Sequence, residues 1–159
     1  MFKILLAFFC AVFITNYALF AQQNTPEADQ QISDFSLAGY GEGGKKSWDI
    51  SGKTADIFGD TIKLKEVLGN LYGKEEDVKL SADKGDFDKA QGKVHLEQDV
   101  VIVTSSGGKL TTESLDWDRK KQLITTQDRV NITKDNMVTT GQGIIGQTNL
   151  NLVTLEKDV

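Results

Sequence analysis

Cysteine, proline and histidine are almost missing from this chain, and each scarcity excludes some chemistry. The 159 residues contain one cysteine, Cys10, one proline, Pro26, and one histidine, His95. Because Cys10 lies inside an apolar N-terminal stretch, disulfide, zinc and thiol chemistry are not available to the rest of the chain. His95 alternates with Val94 and Leu96, which predicts an imidazole that faces solvent and serves no nucleophile. We therefore expect no metal and no cofactor, and a fold held together by packing and hydrogen bonds.

Positive charge is also in short supply. The chain has 18 lysine and arginine residues against 23 aspartate and glutamate residues, for a net charge of −5. Nucleic-acid binding depends on clustered basic side chains that neutralise phosphates. The balance therefore argues against a nucleic-acid partner and fits a solvated acidic surface.

Helical periodicity is absent after Pro26, and apolar residues instead alternate with polar ones. The alternation begins at Trp48 and Ile50 and continues to Leu150 and Leu152. Glycine-containing turn signals recur at short intervals between the alternating segments. A period of two is typical of strands that bury one face. The sequence predicts an all-β fold of some twelve short strands, antiparallel or coiled in rungs.

A motif repeats after thirty residues, from Lys79 to Lys109. Residues 79–88 read KLSADKGDFD and residues 109–118 read KLTTESLDWD, so Phe87 recurs as Trp117. In a strand each aromatic faces inward while the carboxylates beside it face outward. Such a period predicts stacked supersecondary units that build an extended surface or trough.

Two short patterns suggest catalysis or cofactor binding, and each has a simpler explanation. The segment 141–146 matches G-x-G-x-x-G, but no helix follows it, so a glycine-rich bend between strands is the better interpretation. The carboxylate pairs Asp86/Asp88 and Asp116/Asp118 share a strand face, as metal-binding or glycosidase carboxylates do. The aromatic residue between each pair favours a structural role, and we expect no enzymatic activity.

The N-terminus carries a hydrophobic segment that predicts export. Residues 1–21 are almost entirely apolar after Lys3, as in a signal peptide cleaved after Ala21 or an uncleaved transmembrane anchor helix. Residues 22–34 are polar and predict a tether, and residues 35–159 predict the folded exported domain. Retention of the segment would give a single-pass membrane protein, and cleavage would give a free exported one.

The inward apolar row either fills a closed core or lines an open trough. Burying one methylene is worth about 0.8 kcal/mol, so a protein that carries a twelve-carbon acyl chain through water must offer a continuous apolar interior. Alternation alone does not separate these two outcomes. The predicted lining residues are Trp48, Ile50, Leu64, Leu80, Phe87, Leu96, Leu110, Trp117 and Ile132.

Several segments, in this order and spacing, resemble the LptC family of lipopolysaccharide export proteins. They read GKKSWDISGKTAD, IKLKEVLGNLY, LSADKGDFD, GKVHLEQDV and LTTESLDWD, and the resemblance covers about residues 39 to 159. It implies a twisted β-jellyroll, open along one side, that holds the acyl chains of lipid A and follows an N-terminal membrane helix. It also implies two protein partners, the inner-membrane lipopolysaccharide ABC transporter and an LptA-like periplasmic bridge protein. The latter would join at the C-terminal strand edge, at Leu150, Leu152 and Leu155.

Three other interpretations stay open at this point. Within the same class, a cleaved N-terminus would make the chain a soluble LptA-like bridge. From other classes, the aspartates are compatible with a β-solenoid enzyme acting on polysaccharide, and the repeat with a structural surface protein that has a filled core.

Overall fold

The computed structural model describes residues 27–73, 76–148, 150 and 153–158, with the side chains of residues 157 and 158 excepted. The predicted hydrophobic helix of residues 1–21 lies outside this part of the chain. Within it, no helix is long and apolar enough to cross a membrane. Strand β1 begins at Gln30, so the folded part starts ahead of residue 35, where the sequence placed its boundary.

One antiparallel sheet of nine strands makes up almost all of the described chain, in the order in which the strands occur. The all-β class and the stacked antiparallel strands are therefore confirmed. The expectation of some twelve short strands is wrong, because most strands run for 10 to 13 residues without a turn. The strands are β1 (Gln30–Tyr40), β2 (Lys46–Phe58), β3 (Thr61–Tyr72), β4 (Asp77–Asp88), β5 (Lys93–Thr104), β6 (Lys109–Asp118), β7 (Leu123–Lys134), β8 (Met137–Gln147) and β9 (Val153–Asp158), with a 3-10 turn at Glu42–Gly44 between β1 and β2.

Each strand is interrupted near its middle, and the interruptions line up across the sheet. Pairing breaks at one to three residues in most strands and at four or five residues between β6 and β7. Several residues at these breaks have positive φ, including Asp34 (φ 50°), Glu66 (φ 51°) and Asp99 (φ 51°). Such irregularities bend a strand and shift which side chains face inward. We call this line the crease; it consists of Asp34, Lys53, Glu66, Asp83, Gln98–Asp99, Glu113, Gln127–Asp128, Gly143 and Glu156.

The crease divides the sheet into two half-sheets that bury side chains in one core. In β4 the buried residues are Val78, Leu80 and Ala82 before the crease and Gly85 and Phe87 after it, so the parity of the inward positions switches there. Without that switch Phe87 would point to the face opposite Leu80. We call half-sheet I the part that contains residues 46–52, 67–72, 77–82, 100–104, 109–112, 129–134 and 137–142, and half-sheet II the part that contains residues 54–58, 61–65, 84–88, 93–97, 115–118, 123–126, 144–147 and 153–155.

The thirty-residue repeat corresponds to alternate strands of this sheet. Its two copies are β4 and β6, which both pair with β5, and Val94 of β5 is the register partner of Phe87 and of Trp117. The repeated acidic residues Asp83 and Glu113 both lie at the crease, where exposed polar side chains suit the convex edge of a bent strand. Each copy of the repeat therefore corresponds to one strand, with its crease residue and the hairpin turn that follows it.

Strand β5 is the middle strand of the sheet, as its run of valines and isoleucine predicts. Val100 and Ile102 are fully buried in the core. Val103 of the same run is 39% exposed on the outer face, so central position in the sheet does not mean burial on both faces here.

Candidate functional site

A cavity of about 760 Å³ opens on the side of the fold opposite the crease, between the turns that end the two half-sheets. Half-sheet I contributes Trp48, Leu71 and Val78 to its wall. Half-sheet II contributes Trp117 and the turn that follows it. Because the lining runs from β2 to β8 and strands stack about 4.8 Å apart, the cavity is elongated along the stack.

Trp48 is held at this opening by a glycine on the neighbouring strand. Gly39 is its register partner in β1, and a Cβ atom at Gly39 would overlap the indole ring. Ser47 donates a hydrogen bond from its hydroxyl to the Gly39 carbonyl, at 3.1 Å. The absence of a side chain at Gly39 therefore lets the half-buried Trp48 ring lie flat against the sheet edge.

Arg119 spans the opening between the half-sheets. Its guanidinium carbon lies 4.1 Å from the Trp48 ring centroid and 5.2 Å from that of Phe87. Trp48 belongs to half-sheet I and Phe87 to half-sheet II, so one cation contacts both sides of the fold. Burial lowers the pKa of Arg119, but an arginine stays charged at physiological pH.

The residues predicted to line a trough all lie on the inner face, and most of them form the packed core. The buried members are Ile50, Leu64, Leu80, Phe87, Leu96, Leu110 and Trp117, while Trp48 and Ile132 are partly buried and pack against them. Of the nine, Trp48 and Trp117 line the cavity. The interior is therefore filled near the crease and open near the turns.

The repeated aspartates act in the hairpin turns of half-sheet II. Asp88 Oδ1 accepts a hydrogen bond from the Gln91 backbone N–H at 2.8 Å, and Asp118 Oδ1 accepts from those of Lys120 and Lys121 at 3.0 Å. The backbone N–H of Lys121 is the main cause that holds the pKa of Asp118 below its usual value. These bonds explain why each copy of the repeat ends in aspartate.

The same turns bond to one another and form a ladder along the cavity. Lys89 N–H donates to the Asp60 carbonyl at 3.0 Å, Arg119 N–H to that of Gly92 at 3.3 Å, and Thr148 N–H to that of Gln122 at 3.1 Å. This ladder fixes the backbone from which Arg119 extends.

The other two members of the carboxylate pairs lie on the outer face. Asp116 Oδ1 is 2.8 Å from His95 Nδ1, and Glu97 Oε1 is 3.2 Å from His95 Nε2. Burial lowers the pKa of His95, but the hydrogen bond and charge of Asp116, with the charge of Glu97, outweigh it and raise the pKa above its ordinary value. His95 points outward as predicted, and its contacts are with carboxylates.

The G-x-G-x-x-G segment lies inside β8 and not in a bend between strands, which corrects the sequence-based interpretation. Gly143 (φ 74°) is the crease residue of that strand. A Cβ atom there would lie 2.7 Å from Glu156 Oε2 and 3.2 Å from Glu156 Cβ. The glycine therefore leaves room for the side chain of the neighbouring strand.

The predicted partner edge has a backbone part and a side-chain part. Strand β9 pairs with β8 and is the last strand of the sheet in the described chain, so its other backbone edge is unpaired there. The side chains of Leu150 and Leu155 pack against the core, and Leu152 lies outside the described residues.

Sequence reasoning missed Arg119 and the lysines around it. Lys89, Lys120 and Lys121 line the same cavity. Lys89 follows β4, whereas residues 119–121 follow β6, so the four cations do not form one basic run in the sequence. The signal available was the turn position: Lys89 and Arg119 each follow the last aspartate of a repeat copy.

Comparison with known proteins supports one family. A search of curated proteins found no match. The family model described as "Lipopolysaccharide-assembly, LptC-related" matches residues 3–159, nearly the whole chain. The fold is a single antiparallel sheet with an elongated cavity between its two halves. On the match over residues 3–159, the chain belongs to the LptC-related family of lipopolysaccharide-assembly proteins.

Proposed function

We propose that this protein is a periplasmic bridge component of lipopolysaccharide transport. It receives lipopolysaccharide from the inner-membrane ABC transporter and passes it toward the outer membrane, and it shelters lipid A acyl chains between the two half-sheets. The observation that carries the proposal is the elongated 760 Å³ cavity, whose lining includes the core residues Leu71, Val78 and Trp117.

The chemistry of the interior suits acyl chains. The core rows behind the cavity consist of aliphatic and aromatic side chains such as Leu80, Leu110 and Phe87. A twelve-carbon chain that leaves water gains about 10 kcal/mol at 0.8 kcal/mol per methylene. An interior open along one long side admits several chains of one lipid without threading them through an end.

The remaining parts of the proposal concern placement. Retention of residues 1–21 as a transmembrane helix would anchor the domain at the inner membrane, and cleavage would give a soluble bridge of the LptA type. The unpaired edge of β9 supports joining to an LptA-like protein by strand addition, because it offers free N–H and C=O groups. The bridge itself breaks no covalent bond.

Site-specific photo-crosslinking in cells tests the proposal. A photoreactive residue at Trp48, Phe87 or Leu80 should form adducts with lipopolysaccharide. The matched control is Asp86, the exposed neighbour of Phe87 on the outer face, which should form none. Adducts at no inward position, with the protein present at normal levels, would overturn the trough.

A second experiment separates the bridge from a carbohydrate-active enzyme. The double substitution Asp86→Asn with Asp116→Asn should leave transport nearly intact, since both side chains lie on the outer face. Complete loss of transport with normal folding would favour carboxylate chemistry instead.

A further inference from the structure

The cavity mouth is basic although the chain as a whole is acidic. Its lining contains four cations, Lys89, Arg119, Lys120 and Lys121, and one carboxylate, Glu76. The net charge of the chain is −5. A local excess of positive charge at the rim of a cavity raises the local concentration of anions.

The carboxylates nearest this mouth are occupied by backbone groups. Glu76 Oε1 accepts a hydrogen bond from the Ser106 N–H at 2.9 Å, and Asp118 Oδ1 accepts from two turn amides. The side chain of Ser106 is the largest cause that lowers the pKa of Glu76, and the Ser106 N–H is the next. Asp118 Oδ2 also lies 3.8 Å from Lys121 Nζ, so Lys121 is paired. Among the described residues, Lys89, Arg119 and Lys120 have no carboxylate oxygen within 4.0 Å.

Arg119 has aromatic neighbours but no hydrogen-bond acceptor for its guanidinium among the residues that the structure describes. Its guanidinium lies over Trp48 and Phe87, and among the described residues no carboxylate oxygen lies within 4.0 Å of it. Ring faces attract the charge but do not replace hydrogen-bond acceptors for its five N–H donors. Its Nε atom is buried and has no hydrogen-bond partner among the described atoms.

Two further polar atoms without partners belong to the same lining. Trp117 Nε1 and Thr148 Oγ1 are buried and have no hydrogen-bond partner in the described part of the chain, and Trp117 is only 2% exposed. A buried donor without an acceptor costs about 1–3 kcal/mol. The three polar atoms belong to side chains that line one cavity, and a ligand with acceptor oxygens would offer such groups partners.

We propose that the cavity mouth is an anion site that binds a phosphate group of the transported lipid, with Arg119 as the central binding residue. The inference rests on the proposed function, which supplies a lipid whose sugar head carries phosphates. The acyl chains lie inward against the core, and the phosphate meets Arg119 and the rim lysines at the surface. A guanidinium binds phosphate through two parallel N–H···O bonds, which a lysine does not reproduce.

The two tryptophans of the chain give a direct readout of this site, because Trp48 and Trp117 both line the cavity. The full chain in mild detergent is titrated with bisphosphorylated lipid A and with lipid A of the same acylation lacking both phosphates, and tryptophan emission is followed. The wild-type protein should bind the bisphosphorylated form about tenfold to a hundredfold more tightly, the worth of one charged hydrogen-bonded pair.

The variants are Arg119→Gln and Arg119→Lys, with Arg129→Gln as the matched control, an exposed arginine on β7. Arg119→Gln should lose most of the preference for the bisphosphorylated lipid, because only the rim lysines then remain to meet the phosphate. Arg119→Lys should keep part of the preference, and Arg129→Gln should keep all of it. Circular dichroism confirms that each variant is folded.

Three outcomes would overturn the inference. An unchanged preference for the phosphorylated lipid in folded Arg119→Gln would refute the anion site. The proposed function would still stand in that case, because it depends on binding of the acyl chains. If inorganic phosphate saturates the change in tryptophan emission at the same concentration as the bisphosphorylated lipid, the occupant of the site is a free anion and not the lipid. Absence of binding of either lipid by the wild-type protein would remove the proposed function and this inference together.

Discussion

The guanidinium of Arg119 lies 4.1 Å from the ring centroid of Trp48, although the two residues belong to opposite half-sheets. A cation over an indole face at this distance is attracted by the ring quadrupole. The contact therefore joins the two sides of the opening at the point where the cavity begins.

A double-mutant cycle should measure this contact. With Trp48→Leu and Arg119→Met, we expect a favourable coupling of about 0.5–2 kcal/mol in the free energy of unfolding. Urea denaturation of the full chain in mild detergent gives the four values required. The control cycle pairs Trp48→Leu with Arg129→Met, for which additivity within about 0.5 kcal/mol is expected. Additivity in both cycles would show that the contact between Arg119 and Trp48 does not stabilise the fold.

Leu96 reports on the filled part of the interior. It is fully buried on β5, so Leu96→Ala should lower the free energy of unfolding by about 2–5 kcal/mol through lost burial and a cavity. The matched control is Leu68→Ala on β3, where the side chain is 57% exposed and a change within about 0.5 kcal/mol is expected. Equal effects of the two substitutions in urea denaturation would contradict the assignment of inner and outer faces.

Gly143 reports on the crease. Gly143→Ala places a side chain at φ 74° and against Glu156, while Gly59→Ala strains only the backbone, at φ 56° with no heavy atom within 4 Å of the new Cβ. We expect a loss of about 1 kcal/mol for Gly59→Ala and a larger loss for Gly143→Ala. Amide hydrogen exchange should show faster exchange in residues 153–158 for Gly143→Ala alone. Unchanged exchange there would mean that β9 does not depend on the close approach at Gly143.

His95 makes stability depend on pH. Its pKa is raised in the folded state, so its contribution is complete below the pKa of the unfolded chain and disappears as pH rises through the folded pKa. Because the side chain is 38% exposed, the pair with Asp116 contributes about 0.2–1 kcal/mol. The destabilisation caused by Asp116→Asn should therefore be larger at pH 5.5 than at pH 8.5.

Thermal denaturation at the two pH values measures this difference, and Asp83→Asn at the exposed crease serves as the control. A destabilisation by Asp116→Asn that is larger at pH 8.5 than at pH 5.5 would contradict the prediction and would show that the pair of His95 with Asp116 does not cause the pH dependence.

The site was only partly predictable from the sequence. Phe87 and Trp117 were correctly placed on the inner face, because the period of two is a local property of each strand. The inference that each apolar row lines a trough stays a prediction for residues such as Leu96 and Leu110, which are packed in the core here. Arg119 was not identified, because its position after the last aspartate of a repeat copy marks only a turn, while its contacts with Trp48 and Phe87 depend on the fold.

The sequence by itself determined the all-β class, the thirty-residue repeat and the family, since alternation, turn residues and motif order are all written along the chain. Only the tertiary structure decided that long strands bend at one shared crease. It also decided that this bend places Trp48 and Phe87, from opposite half-sheets, against the same cation, Arg119. The reason is physical: the crease arises from the alignment of one irregularity in each of nine strands, and that alignment depends on pairing between residues far apart in sequence.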